Sequence, residues 1–373
     1  MSEPDVLAPA ADVGGPQQPL LEVRAMSKHF PVRGGFLGRA GVVRAVDDVS
    51  FSVDKGEVLG IVGESGCGKS TTARLVIGLI EPDQGSIVLD GEKLGTALSL
   101  RDLRRSVQMV FQDSYASLNP RLTIEASIAF GPIVHGVAAA EARARAHDLL
   151  RKVGLDPATF ADRYPHELSG GQRQRVNIAR ALALAPRLVL LDEAVSALDK
   201  SVEAQVLNLL IDLKQEFGLT YVFISHDLNV VRFISDRVLV MYLGEVVETG
   251  PVEALWRDAR HPYTRALLSA MPSLDPDNRT REPPITGDPP NPINPPSGCR
   301  FHTRCAFAEP VCAEKSPSLF ATGNDRHTAA CHMVDPTSGH SRAGQAVIAR
   351  TPVRPSTGRS TGSGGRSSSH PIA

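Results

Sequence analysis

No stretch of this chain offers the roughly 20 consecutive apolar residues that a membrane-spanning helix needs. The main candidates, around 188–191 and 238–243, are far too short and read as buried strands. No basic residue precedes Arg24, whereas Glu3, Asp5 and Asp12 do, so a secretory signal is not expected. Lysines and arginines (40) balance aspartates and glutamates (41), leaving a net charge of −1 and no electrostatic case for nucleic acid as the main partner. Five cysteines in 373 residues are too few for a disulfide scaffold. The expectation is a cytosolic chain whose association with a membrane comes from partners.

What is present is ordinary globular material, 42% hydrophobic and 22% charged. The length accommodates one large α/β domain with appendages, or two modest domains. Residues 1–19, rich in Pro, Ala, Gly and Gln, read as a disordered leader. The runs LLEVRAM and VRAVDDVSFSV predict antiparallel strands around a flexible Gly-rich loop, RGGFLGRAG. EVLGIVG is an apolar strand running into a glycine-rich loop, and KSTTARLVIGLI continues as a helix. SIVLDGEKL is a strand pair turned at Asp90-Gly91, and QMVFQD another strand. Residues from about 114 to 175 look mostly helical, with Leu149, Leu150 and Val153 on one face. LVLLD and TYVFISH are fully apolar strands separated by a helix, which implies a parallel sheet covered on both faces. Beyond them come a hairpin-like GEVVETG, a helical VEALWRDARHPYTRALLSA, a proline-rich linker, a cysteine-bearing segment and a Ser/Gly/Arg tail read as disordered.

Three short motifs carry chemistry. GESGCGKS at 63–70 has the G-x-x-x-x-G-K-S pattern behind a strand and ahead of a helix. Its glycines let backbone N–H groups converge on phosphate, Lys69 bridges the β- and γ-phosphates, and the Ser70 hydroxyl ligates Mg²⁺. LVLLDE at 188–193 ends in adjacent carboxylates. Asp192 closes an apolar strand, where a charge is expensive unless it serves a metal. Glu193, one residue on, is the candidate general base for an attacking water. LSGGQ at 168–172 opens a second helix whose N-terminus, at Ser169, Gly170 and Gly171, can face phosphate.

Together, in this order, the motifs resemble the nucleotide-binding subunit of an ABC transporter. GESGCGKST, FQDSYASLNPR, DEAVSALDKSV, HPYTRALLSAMP and the cysteine-containing C-terminus narrow the resemblance to bacterial oligopeptide or dipeptide importers, second ATPase subunit type. It covers roughly residues 20–335. The implied fold is an α/β P-loop NTPase cassette with a mixed sheet, an antiparallel β subdomain, a helical signature subdomain (about 114–175) and a small cysteine-containing C-terminal module. The implied division is a leader at 1–19, the ATPase domain at 20–257, the extension at 258–335 and a tail at 336–373.

The resemblance also assigns roles. Gln112 corresponds to the Q-loop glutamine, a Mg²⁺ and water contact, and His226 to the switch histidine; alone, His226 would read as a structural residue. Phe30 falls where an aromatic ring stacks on adenine, although without the resemblance it reads as core. Gly63, Glu64, Ser65, Gly66, Cys67, Gly68, Lys69, Ser70 and Thr71 form the nucleotide loop, with Cys67 a packed residue and not a nucleophile. Ser169, Gly170, Gly171 and Gln172 would bind the γ-phosphate of ATP held by a second subunit, and Asp199 would cross that dimer interface. One phosphate loop and one signature therefore require pairing, a heterodimer being expected. Two permeases and an extracytoplasmic peptide-binding protein complete the implied machine, with this chain peripheral on the cytoplasmic side of the cell membrane and a permease docking on residues 114–165. Ser114, where the family usually has proline, and Lys200, commonly apolar, depart from the pattern.

Cys299, Cys305, Cys312 and Cys331 follow C-x5-C-x6-C-x18-C, with His302, His327 and His332 interleaved. Structural zinc favours tighter pairs. Four thiolates on irregular loops suit a [4Fe–4S] cluster, with Zn²⁺ the alternative and packed free thiols the plain reading. A DNA-repair ATPase would need long heptad arms, which are lacking; a ribosome-associated factor normally has two cassettes. Nickel or glutathione cargo is open, since permeases and binding protein choose it. A purely sensory chain has no need of Glu193.

Overall fold

The computed structural model describes residues 7–9, 11–32, 41–271, 287–321 and 326–344. The centre of the fold is an eight-stranded sheet. Its parallel part runs in the order β9 (Arg237–Tyr242), β3 (Val58–Val62), β8 (Thr220–Ile224), β7 (Leu188–Asp192) and β6 (Val107–Val110). Every residue of β3, β7 and β8 is buried, because helices cover both faces. Alternation along β3 divides the core. Val58 and Val62 join the cluster containing Leu149, Val176 and Phe223, while Leu59 and Ile61 join the one containing Leu21, Leu75 and Leu190.

The second cluster is roofed by a four-stranded antiparallel sheet, ordered β2 (Gly41–Val53), β1 (Leu21–Val32), β4 (Gln84–Leu89) and β5 (Glu92–Lys93). β1 and β2 pair from Leu21↔Val53 to Val32↔Gly41, as the two β-rich runs imply. Most of the Gly-rich loop between them lies outside the described residues. The helical region comprises Ile124–Val134, Ala139–Lys152 and the signature helix Gly170–Leu182, packed through Ile128, Leu149 and Val176.

Two boundaries differ from expectation. The leader is tied down over residues 11–15: the Val13 N–H donates to Asp90 Oδ2 (2.7 Å), Lys55 Nζ to Asp12 Oδ1 (2.5 Å), and Arg187 to the Ala11 carbonyl (3.1 Å). Asp90 and Arg187 are nearly buried, so this leader completes a polar cluster that composition did not disclose. The C-terminal extension is also no separate body. Its strands β11 (Phe320–Ala321) and β12 (Thr328–Ala329) continue the central sheet beyond β10 (Glu245–Pro251), with Glu248↔Ala329 and Thr249↔Thr328 in register. Order extends past 335: His340 is buried and its Nε2 meets the Phe307 carbonyl (3.0 Å). The start of the expected linker, up to 286, and the tail from 345 lie outside the described residues.

The segment after β10 breaks into two helices, Val252–Arg257 and Pro262–Ser269. Pro262 opens the second, and the His261 ring nitrogen caps it by accepting the Tyr263 N–H (3.0 Å). Among the described residues, no helix is long and apolar enough to cross a membrane.

Candidate active site

β3 delivers the chain into the loop at 63–68, and the helix Lys69–Val76 leaves it. Glycine is required at two points. Gly63 has φ +151° and Gly68 φ +110°; a Cβ on either would lie 2.2 Å from a backbone oxygen, of Met241 and Ala45 respectively. Lys69 turns back into this nest, donating to the carbonyls of Gly63 (2.8 Å) and Glu64 (3.0 Å). Cys67 is buried, and burial pushes its thiol up, which fits a packed residue.

Asp192 ends β7 beside the start of that helix, and the Ser70 hydroxyl donates to its Oδ1 at 2.9 Å. Burial raises the Asp192 carboxyl above the usual range, against the pull of Ser70. A buried carboxylate and a hydroxyl aimed at one point fit a hard divalent cation, which would relieve that penalty. Glu193 follows with φ +48°, its N–H held by the Ile224 carbonyl (2.9 Å). Its side chain is met from two directions: the Gln112 amide donates to Oε2 (2.8 Å), and His226 Nδ1 lies 3.4 Å from the same oxygen. Gln112 stands two residues past the end of β6, in the loop, and His226 follows β8. The sheet thus brings Ser70, Gln112, Asp192, Glu193 and His226 to the carboxyl ends of adjacent parallel strands.

The signature lies on the helical side. Ser169 caps Gly170–Leu182 through a reciprocal box: its Oγ accepts the Gln172 N–H (3.3 Å) and Gln172 Oε1 accepts the Ser169 N–H (2.9 Å). The same helix is fastened to the loop after Gln112. Asn177 donates to the Ser114 carbonyl (3.0 Å), Arg180 to that of Ser117, and the Arg173 guanidinium lies over the Tyr115 ring (5.5 Å). Asp199 is exposed at the N-cap of the helix Lys200–Phe217. Lys200 binds both Glu203 and Asp227 at 2.9 Å, joining this loop to the residue beside His226. Phe30 is half-buried on β1, with Lys28 Nζ 5.8 Å from its ring. A cavity of about 320 Å³, lined by Met109, Phe111, Phe130 and Leu184 among others, opens beside the helical region.

Cys299, Cys305, Cys312 and Cys331 line one small cavity of about 20 Å³. Among the described residues, no three His, Cys, Asp or Glu side chains stand in metal-holding geometry. Burial pushes the Cys299 and Cys331 thiols up to about 12 and raises Cys305. Each interleaved histidine has a partner in the protein, although His302 and His332 also line this cavity. His302 meets the Cys299 carbonyl (2.9 Å), His332 that of Lys315 (2.8 Å), and His327 pairs with Glu248 (2.7 Å). The donor chemistry suits a thiolate centre; the closed cavity does not accommodate a cluster without side-chain movement. Sequence reasoning also missed two contacts with the phosphate loop, Arg304 to Glu64 and Tyr263 to the Glu64 N–H. Arg304, between two cysteines, carried no signal of its own.

A phosphate loop, paired strand-end carboxylates and an LSGGQ helix on one sheet define an ATP-binding-cassette ATPase. Residues 46–196 match the ABC transporter family, and residues 247–312 match the oligopeptide/dipeptide transporter C-terminal region. The oligopeptide transport ATP-binding protein AppF of Bacillus subtilis is 51% identical over 85% of this chain and 98% of its own length. Its counterpart OppF of Escherichia coli K12 is 49% identical over 85% and 97%. Among solved structures, cbiO1 of Clostridium perfringens has a TM-score of 0.55 at 27% identity, over 65% of this chain and 92% of that one. The ATP-binding cassette MJ0796, a dimer bound to ADP and Pi, has 0.54 at 31%, over 62% and 98%. The chain belongs to the ABC transporter family, as an ATP-binding subunit of the oligopeptide/dipeptide type.

Proposed function

We propose that this chain hydrolyses ATP to energise import of oligopeptides or dipeptides, paired with a second ATPase subunit beneath two permeases that receive cargo from an extracytoplasmic peptide-binding protein. The observation that carries it is the Ser70–Asp192 contact with Glu193 bracketed by Gln112 and His226. Lys69 and the backbone of residues 63–71 hold the phosphates. Ser70, Asp192 and Gln112 hold Mg²⁺, which when bound screens the phosphate charge. Glu193 takes the proton of the attacking water, and Gln112 and His226 keep its carboxylate aimed. Phe30 stacks on adenine.

Ser169, Gly170, Gly171, Gln172 and Asp199 face the partner's nucleotide. The reciprocal cap at Ser169 supports this reading, because it fixes the helix N-terminus before any phosphate arrives. The aromatic-lined cavity beside Phe130, 60% exposed, is where a permease docks, which makes the chain peripheral on the cytoplasmic face. Gln112 and the signature helix move with it through Asn177 and Arg180. The ATPase domain is taken as 20–257 and the extension as beginning at 258. Convergence of four thiols on one cavity supports a thiolate centre, [4Fe–4S] ahead of Zn²⁺ by ligand type, bound in a more open arrangement.

Anaerobic purification from native membranes tests the assembly. Two permeases, a second ATPase and peptide-stimulated ATP hydrolysis are expected; recovery of a homodimer with nickel- or glutathione-stimulated turnover would replace both partner and cargo. Iron, sulfide and zinc analysis of the same sample decides the cysteines.

A further inference from the structure

The turn between Cys299 and Cys305 drives two arginines into the ATPase cassette. The Arg300 side chain, only 6% exposed, donates to the Asp47 carboxylate and the Leu243 carbonyl and pairs with Glu245 at 2.9 Å. Arg304, 7% exposed, forks onto both carboxylate oxygens of Glu64 at 2.9 and 3.2 Å and reaches the Tyr242 hydroxyl at 3.3 Å. Glu64 is the second residue of the phosphate loop. Its N–H donates to the Tyr263 hydroxyl (2.8 Å), and its carbonyl accepts the Lys69 ammonium (3.0 Å). This one loop residue is therefore held at side chain, N–H and carbonyl, and the partners at its side chain and N–H both belong to the C-terminal extension.

The fastening is rigid. The rings of Tyr242, Tyr263 and Phe301 pack against one another at 4.6 to 5.4 Å between centroids. Arg304 is fixed in its turn by hydrogen bonds from its N–H to Phe301 (3.0 Å), from His302 to Cys299 (3.0 Å) and from Cys299 to Cys312 (2.7 Å). Its planar fork also neutralises a carboxylate that would otherwise sit beside the triphosphate.

We propose that Arg304 is a positioning residue for ATP binding, holding Glu64 and thereby the Lys69-bearing loop, and that the four-cysteine segment holds Arg304 in place. The inference rests on the ATPase reading above. Arg304 acts through Glu64 and does not reach the nucleotide itself. A residue that sets the loop before ATP arrives affects binding more than the subsequent chemistry.

The test is steady-state ATP hydrolysis by the assembled, detergent- or nanodisc-held transporter, with melting of each variant followed in parallel. R304A is expected to raise KM for ATP about tenfold with kcat within about twofold, and R304K to recover part of the loss. C305S should shift KM in the same direction. On an E64Q background, R304A should add little, because the charge it neutralises is gone. A wild-type KM in R304A overturns the proposal. So do parallel falls of kcat and melting temperature in R304A and R304K, or full additivity with E64Q. Should R304A fail to fold, R304K and E64Q decide by the same split. Absence of hydrolysis by the wild-type assembly would instead sink the ATPase reading.

Discussion

Gln112 and His226 converge on one oxygen of Glu193, at 2.8 and 3.4 Å, from loops that follow two different strands of the sheet. The carboxylate is thereby aimed before substrate is present, and its backbone takes the uncommon φ of +48°. Glu193→Gln keeps the shape and the Gln112 region but removes the proton acceptor. ATP hydrolysis should fall by about 10² to 10⁴ while nucleotide binding persists. Single-turnover hydrolysis and equilibrium ATP binding on the same preparation check both halves, and hydrolysis near the wild-type rate would remove Glu193 from the base role.

His327 and Glu248 form the buried joint between extension and cassette, 2.7 Å apart with 1% and 0% of their side chains exposed. The Glu248 carboxylate also accepts the N–H groups of Arg260 (2.6 Å) and His261 (3.0 Å). His327→Ala leaves that carboxylate without one of its partners in a dry site and opens a cavity. A loss of about 3 kcal/mol or more is expected. Replacing Glu248 by Gln, which keeps an acceptor without the charge, together with His327 by Met should cost less than the single change. Denaturant melts of the full chain compare the two, and equal losses would mean that packing alone matters.

How much of this was legible beforehand follows from what is local. The phosphate loop, the paired carboxylates and the LSGGQ cap are contiguous stretches whose spacing itself carries the geometry, and strands as uniformly apolar as LVLLD announce a sheet covered on both faces. Gln112 and His226 could be named only through resemblance, because their role depends on β6 and β8 flanking β7. The roles of Arg304, Tyr263 and His327 were invisible for the same reason taken further: each acts across 79 to 240 residues of chain, on partners that no pattern connects. The leader failed differently. Composition pointed to little burial, yet over residues 11–15 Asp90, Lys55 and Arg187 hold the segment through charge and hydrogen bonds.

His261 gives the fold an acid sensitivity whose sign is fixed by burial. The ring is fully buried, and burial lowers its pKa to about 4, against an upward pull from Glu248. In the unfolded chain the ring takes a proton near pH 6.5, whereas the folded ring stays neutral down to about 4. Stability is therefore unaffected by this group above pH 6.5, and falls as pH drops through the window between the two values. From pH 7 to pH 5 the loss attributable to His261 is about 2 kcal/mol. His261→Asn, which can still cap Pro262–Ser269, should be less stable at pH 7 but show a shallower decline. Denaturation midpoints at pH 5, 6 and 7 measure it; identical slopes in the two proteins would assign the acid sensitivity elsewhere.

Gly171 sits in the first turn of the signature helix with Val202 of the following long helix pressed against it. A Cβ placed there would lie 2.6 Å from Val202 Cγ1, inside any permitted contact. Alanine would ordinarily favour a helix by about 1 kcal/mol over glycine. Here the overlap is relieved by turning the Val202 side chain or by moving one helix off the other, at about 1 to 3 kcal/mol. Where the helix moves, the N–H groups of Gly170 and Gly171, which the proposed function directs at a partner's phosphate, shift with it, while that of Gln172 is taken by Ser169 Oγ. Gly171→Ala should therefore cut ATPase activity of the assembled dimer about tenfold while leaving ATP binding to this subunit's own loop unchanged. Val202→Ala, which vacates the colliding methyls, should restore most of the activity when combined with it. Failure of the rescue, with both variants folded, would mean that the space at Gly171 is kept for the nucleotide and not for the neighbouring helix.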